Sequence, residues 1–252
     1  MFTPRVAAAS LSGAADAEWA RAAAPYVGCA FLGGVSLDGP TREAARALVD
    51  RDRSEFLPAD PVAFVDAQLD AVAAPDIMPA VNVRTTTLGP LREAARVCAD
   101  HGATIEVNAH CRQAEMCEAG AGETLLRDTD RLSEQVAAAS EFATTSVKLR
   151  TEVDGVDLPA LAAALERAGA DWLHVDAMDS EPVVAEVREA TDCFLVANNG
   201  VRDRATATEY LDYGADAVSV GRPSDDPVVL RRVREAVEDW FAGRDHDREV
   251  TA

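Results

Sequence analysis

Arg167-Ala168-Gly169-Ala170-Asp171-Trp172-Leu173-His174-Val175-Asp176 is the stretch on which the fold turns. A helical pattern of alanine, leucine and charged residues runs into it and stops at a glycine, and a short apolar run follows. Glycine accepts the left-handed conformation that closes a helix, and the apolar run has the length of a buried strand. The same device recurs at Asp212-Tyr213-Gly214-Ala215-Asp216, before Ala217–Val220, and at Ala99-Asp100-His101-Gly102-Ala103, before Thr104–Val107. Helix, glycine, strand is the second half of a unit in which parallel strands are joined by a crossover helix.

Working outward, further short apolar runs fit as strands at Arg5–Ala9, Gly28–Gly33, Ile77–Arg84, Thr145–Leu149 and Cys193–Ala197. Amphipathic segments at about 16–24, 41–51, 61–73, 90–100, 130–140, 157–168, 181–190 and 204–213 read as the helices between and after them. Eight strands alternating with helices over 252 residues predict one (β/α)₈ TIM barrel in a single α/β domain spanning 1–252. A closing helix is expected near 226–242, behind Asp225-Asp226-Pro227, with 243–252 as a disordered tail.

Composition narrows the setting. No stretch approaches the roughly 20 apolar residues that a membrane-spanning helix needs. Met1-Phe2-Thr3-Pro4-Arg5 has no signal-peptide character, so a cytoplasmic protein with no membrane partner is expected. The five cysteines are scattered without CxxC spacing, which argues against a disulfide framework and against a metal site. The net charge of −20 is dispersed along the chain, a pattern expected of a halophilic protein, because about 1 M salt shortens the Debye length to about 3 Å and removes most self-repulsion. In ordinary salt the same charge repels nucleic acid.

Barrel enzymes carry their chemistry at the C-terminal ends of the strands. Lys148, the only lysine, stands near the end of Thr145-Ser146-Val147-Lys148-Leu149-Arg150. A lysine in an arginine-based chain points to a task that needs a compact ammonium. Asn108-Ala109-His110-Cys111 follows another strand, putting a thiol and an imidazole at the mouth. Taken alone, Cys111 is equally well a small buried hydrophobe, and His110 a solvated loop residue. Asn198-Asn199-Gly200 and Gly221-Arg222 follow the seventh and eighth strands, where barrels hold phosphate on backbone N–H groups. Either dipeptide alone means little; the two together predict a phosphate-bearing ligand.

In order and spacing these pieces resemble the flavin barrel of the tRNA-dihydrouridine synthases. The resemblance runs over Ile105–Cys111, Gly120-Ala121-Gly122-Glu123-Thr124-Leu125-Leu126-Arg127-Asp128, Val147–Arg150, Ala168–Asp171, Asn199-Gly200 and Gly214–Arg222. It implies FMN as cofactor, NAD(P)H as electron donor, and a uracil-type base, within tRNA or free, as substrate. By it, Cys111 is the proton donor to C5 and Asn108 lies beside the substrate. Lys148 touches flavin and base, Asn82 the flavin ring, and Asn199, Gly200, Gly221 and Arg222 the FMN phosphate. The family's Asn-x-Gly-Cys-Pro is here Asn108-Ala109-His110-Cys111-Arg112, and its sixth-strand histidine falls on Asp176, with His174 one step deeper on the same face. His110, His174 and Asp176 are therefore expected on the substrate. The family's C-terminal tRNA-gripping helical domain is not expected here.

Three classes of function are open at this point. The first is a flavin reductase of a uracil-type base, either a dihydrouridine synthase or a free-pyrimidine, dihydroorotate-like oxidoreductase. The second is a flavin-free sugar-phosphate isomerase or lyase using Lys148 and Asp176. The third is a non-catalytic barrel that serves as an interaction partner. Flavin colour separates the first from the others.

Overall fold

The computed structural model describes residues 1–72 and 77–251, with side chains as far as Arg244. Eight parallel strands close on themselves: β1 (Val6–Ala8), β2 (Cys29–Ser36), β3 (Met78–Arg84), β4 (Thr104–Asn108), β5 (Thr145–Arg150), β6 (Trp172–Asp176), β7 (Phe194–Asn198) and β8 (Ala217–Val220). Around them lie helices α1 (Ala17–Ala23), α2 (Gly39–Val49), α3 (Pro61–Val72), α4 (Leu88–Asp100), α5 (Ala114–Glu118), α6 (Thr129–Ser140), α7 (Leu158–Ala168), α8 (Val183–Ala190), α9 (Arg204–Asp212) and α10 (Pro227–Thr251). The predicted barrel is therefore the observed one. The last residue of the helix expected over 61–73 lies outside the described residues.

The repeated glycine device works as read. Gly102, Gly169 and Gly214 all take positive φ, +64°, +106° and +93°. The aspartates that follow add something the sequence did not announce. Asp171 accepts the N–H of Thr145 at 2.8 Å, and Asp216 that of Leu195 at 2.9 Å. Each carboxylate thereby fastens its own strand entry to the neighbouring strand.

Two differences stand out. Between β4 and α6 the chain makes an unexpected excursion through α5 and a 3₁₀ turn, Gly122–Arg127. A helix of five residues with one buried side chain, Met116, is too short to leave a periodic signature. The closing helix continues through the stretch read as a tail, which is rich in good helix formers and has no proline.

Inside the barrel, side chains change character along the axis. At the N-terminal end Phe2, Cys29, Phe31, Trp172, Phe194 and Ala217 belong to one apolar cluster. Above it the inward positions are polar, and that is where the site begins.

Candidate active site

Strand alternation puts every second side chain inside. On β3 to β8 the upper inward positions hold Asn82 and Arg84, Glu106 and Asn108, Ser146 and Lys148, His174 and Asp176, Asn198, and Ser219. All are buried. The register sets Lys148 beside both Asn108 and His174.

The lower of these groups satisfy one another across the barrel. His174 Nδ1 donates to Glu106 Oε2 at 2.8 Å, and its Nε2 accepts from Ser219 Oγ at 2.7 Å. Glu106 also accepts from Asn82 at 2.7 Å and from Ser146 at 3.0 Å. Asn108 Nδ2 donates to Asn82 Oδ1 at 2.9 Å, and Asn198 Nδ2 to Ser219 Oγ at 2.7 Å. Burial opposes charge on Glu106, yet His174, Lys148 and Asn82 more than offset it and hold the carboxyl below its usual range. Burial pushes His174 below the ordinary histidine value against the pull of Glu106, so a neutral ring donates to an ionised carboxylate. Burial also lowers the Lys148 ammonium, against Glu106 and Asp176.

This arrangement moves two of the expected contacts. Asn82 is fully buried with its amide committed to Glu106 and Asn108, so it braces the site from below. His174 sits deeper than the mouth, as its position in the strand requires, with its ring centroid 4.7 Å from that of Phe31. Lys148 itself lies two residues inside the end of β5, walled in by the barrel. Its ammonium makes no hydrogen bond or ion pair among the described residues, while its backbone carbonyl accepts the Ala109 N–H at 2.9 Å.

At the mouth three expected residues meet: Asp176 at the end of β6, and His110 and Asn199 in the loops after β4 and β7. His110 Nε2 lies 2.5 Å from Asp176 Oδ2, and Asn199 Nδ2 donates to Asp176 Oδ1 at 2.7 Å. Burial alone would raise the Asp176 carboxyl, but the His110 and Asn199 hydrogen bonds hold it well below the carboxylate range. Burial lowers His110, with Asp176 pulling the other way.

Cys111 is half-buried at the head of the excursion after β4. Asn108 Oδ1 accepts the backbone N–H of His110 at 3.1 Å and of Cys111 at 3.0 Å, so Asn108 shapes this loop. Cys111 packs against the satellite apolar cluster of Ala44, Leu48, Met116 and Ala121. Gly122, at φ +62°, presses on it so closely that a Cβ would stand 2.2 Å from the Cys111 carbonyl oxygen. On the opposite rim Arg84 pairs with Glu55 at 2.7 Å and with Ser12, tying the loops after β1 and α2 to the end of β3.

The loops after β7 and β8 are open. Asn199 and Gly200 take φ of +92° and +67°, and a Cβ on Gly221 would meet nothing within 4 Å. The backbone N–H groups of Gly200, Val201 and Gly221 have no acceptor among the described residues. Arg222 is exposed beside them. Tyr210 O–H anchors the loop on the carbonyls of Asn198 and Asn199 at 3.2 and 3.0 Å. Sequence reading passed over Tyr210, Glu106, Ser146, Ser219 and the Arg84–Glu55 pair. For Glu106, Ser146, Ser219 and Arg84 the available signal was polar residues at alternate positions of buried strands; Tyr210 and Glu55, outside the strands, left none.

A family model described as dihydrouridine synthase matches residues 80–250, more than half of the chain. This chain belongs to the dihydrouridine synthase family. The matched span takes in Lys148, the Cys111 loop and both open loops, whereas Ser12 and Glu55 lie before it. The chain is 28% identical over 231 residues to an uncharacterized protein of Methanocaldococcus jannaschii, covering 86% of this chain and 88% of that one. It is 30% identical over 171 residues to tRNA-dihydrouridine synthase B of Xanthomonas campestris pv. campestris, covering 62% of this chain and 51% of the relative. The chain thus spans about half the length of that synthase. Among solved structures, morphinone reductase in complex with tetrahydroNAD superposes with a TM-score of 0.65 at 16% identity, covering 94% of this chain and 88% of the other, a likeness of fold.

Proposed function

We propose that this chain is an FMN-dependent oxidoreductase acting on the C5=C6 bond of a uracil-type base, with NAD(P)H as electron donor. The observation that carries the reading is Lys148, an ammonium left without a partner inside a barrel where Glu106, Ser146, His174 and Asn108 around it are paired. Burying such a group is costly unless a ligand completes it. FMN, when bound, supplies hydride transfer to or from the ring. Three unpaired N–H groups in the loops after β7 and β8, with Asn199 and Arg222, suit its phosphate. Lys148 suits the flavin pyrimidine ring, where a cation favours negative charge. Asp176 and His110 line the substrate side, and the Cys111 thiol carries the proton destined for C5.

A free pyrimidine is the second reading of the substrate, favoured by the net charge of −20, which opposes a polynucleotide. The test is spectroscopic first. Protein supplied with FMN in concentrated salt should take up the flavin and turn yellow, and Lys148→Ala should weaken that uptake. Cys111→Ala should keep the colour and lose turnover. Colourless protein after FMN addition would sink the reading. Measuring dihydrouridine in tRNA from cells with and without the gene separates the two substrates.

A further inference from the structure

The mouth is rich in hydrogen-bond donors. Lys148 and Arg150 donate only, Arg150 lying beside Glu123 at 3.6 Å, and the open loops present backbone N–H groups. Two of the acceptors nearest His110 are already occupied. Asp176 is taken by His110, by Asn199 and by the Met178 N–H at 3.3 Å, and the Asn108 oxygen by two backbone N–H groups. The His110 side chain keeps 30% of its surface exposed, and its Nε2 is committed to Asp176. Its Nδ1 has no partner among the described residues.

We infer that His110 determines specificity, its Nδ1 lone pair accepting a ring N–H of the substrate, with Asp176 as the positioning residue that fixes the tautomer. An ionised carboxylate accepts and cannot donate, so it holds the imidazole proton on Nε2 and leaves Nδ1 bare. A site so built favours an imide such as the N3–H of a uracil ring. It rejects a ring nitrogen that is itself a lone pair, as in cytosine, because two acceptors then face each other. The inference rests on the flavin–pyrimidine reading for its substrate class, but the tautomer is a property of the protein alone. Protonating Nδ1 destroys the acceptor, so uracil recognition fades as pH falls through the His110 pKa. Burial lowers that pKa, Asp176 raises it, and the Lys148 and Arg150 charges lower it.

Two measurements test this. In the first, nitrogen NMR of the ligand-free protein, with His110→Gln used to assign the signal, should report Nε2–H and bare Nδ1. Asp176→Asn, whose amide can donate to Nε2, should move the proton to Nδ1. A wild-type Nδ1–H tautomer overturns the inference whether or not the protein binds flavin. In the second, FMN-loaded protein is titrated with uridine, 3-methyluridine and cytidine. Wild type should prefer uridine by about tenfold or more, the value of one well-made hydrogen bond. His110→Gln should blunt the preference, and Asp176→Asn should shift it toward cytidine. No uridine binding, or the same preference in all three proteins, overturns the proposal. Failure to load FMN overturns the flavin reading instead, and the NMR result then decides this one.

Discussion

Glu106 is the residue on which the interior depends. It takes hydrogen bonds from Asn82, Ser146 and His174 while wholly out of water, so removing its oxygens strands three donors at once. Glu106→Ala should cost about 3 kcal/mol or more, measured by denaturant unfolding. Its pH behaviour has a definite sign. Because the folded carboxyl is held below its usual value, its contribution is complete above the unfolded pKa, about 4.3, and is lost as pH falls through the lower folded one. Lys148→Met removes a cation that helps hold Glu106 and Asp176 ionised. Both folded carboxyls then sit nearer their unfolded values and a buried, unpaired charge is gone, so stability should fall less with acid than in wild type; an acid titration followed by circular dichroism checks it. At this scale the sequence was informative about identity and less so about depth. Lys148, His110, Asp176 and Asn199 stood out because a lysine among arginines or polar residues at strand ends are visible in one dimension. Asn82 and His174 could not be placed so easily. Whether an inward side chain meets a ligand or a neighbour depends on its layer in the barrel, which strand stagger sets.

Among the elements, the excursion after β4 was the least legible and is the most sensitive to change. Its position depends on Gly122, which has both a left-handed backbone and no room for a side chain. Gly122→Ala should destabilise the protein by more than about 1 kcal/mol. It should also speed the reaction of Cys111 with a thiol reagent, because the apolar cluster under the loop would loosen. The opposite rim makes a contrasting case. Arg84 and Glu55 are buried together, so Glu55→Ala alone should cost about 3–5 kcal/mol, while the apolar pair Arg84→Met with Glu55→Leu should recover most of it in thermal unfolding. Strands and long helices were readable to within a few residues, since burial on both faces and glycine stops write themselves into the sequence. The rim loops were not, because their structure comes from contacts such as Arg84 with Ser12 that join distant segments.

For the molecule as a whole, charge is the governing quantity. A net charge of −20 on a barrel of 252 residues repels itself at low ionic strength. Raising potassium chloride from about 0.15 M to about 2 M, which shrinks the screening length from about 8 Å to below about 3 Å, should raise Tm. An unchanged or falling Tm would argue against salt adaptation.

The walled-in lysine has a practical corollary. A protease that cuts only after lysine has one target bond in this chain, Lys148–Leu149, and that bond lies in the fifth strand of a closed ring of hydrogen-bonded neighbours. Fraying of termini or surface loops leaves it hidden; the ring must come apart before the enzyme can reach it. Cleavage into residues 1–148 and 149–252 is therefore a one-bond clock for global opening, and its rate counts the open population alone when reclosing is fast.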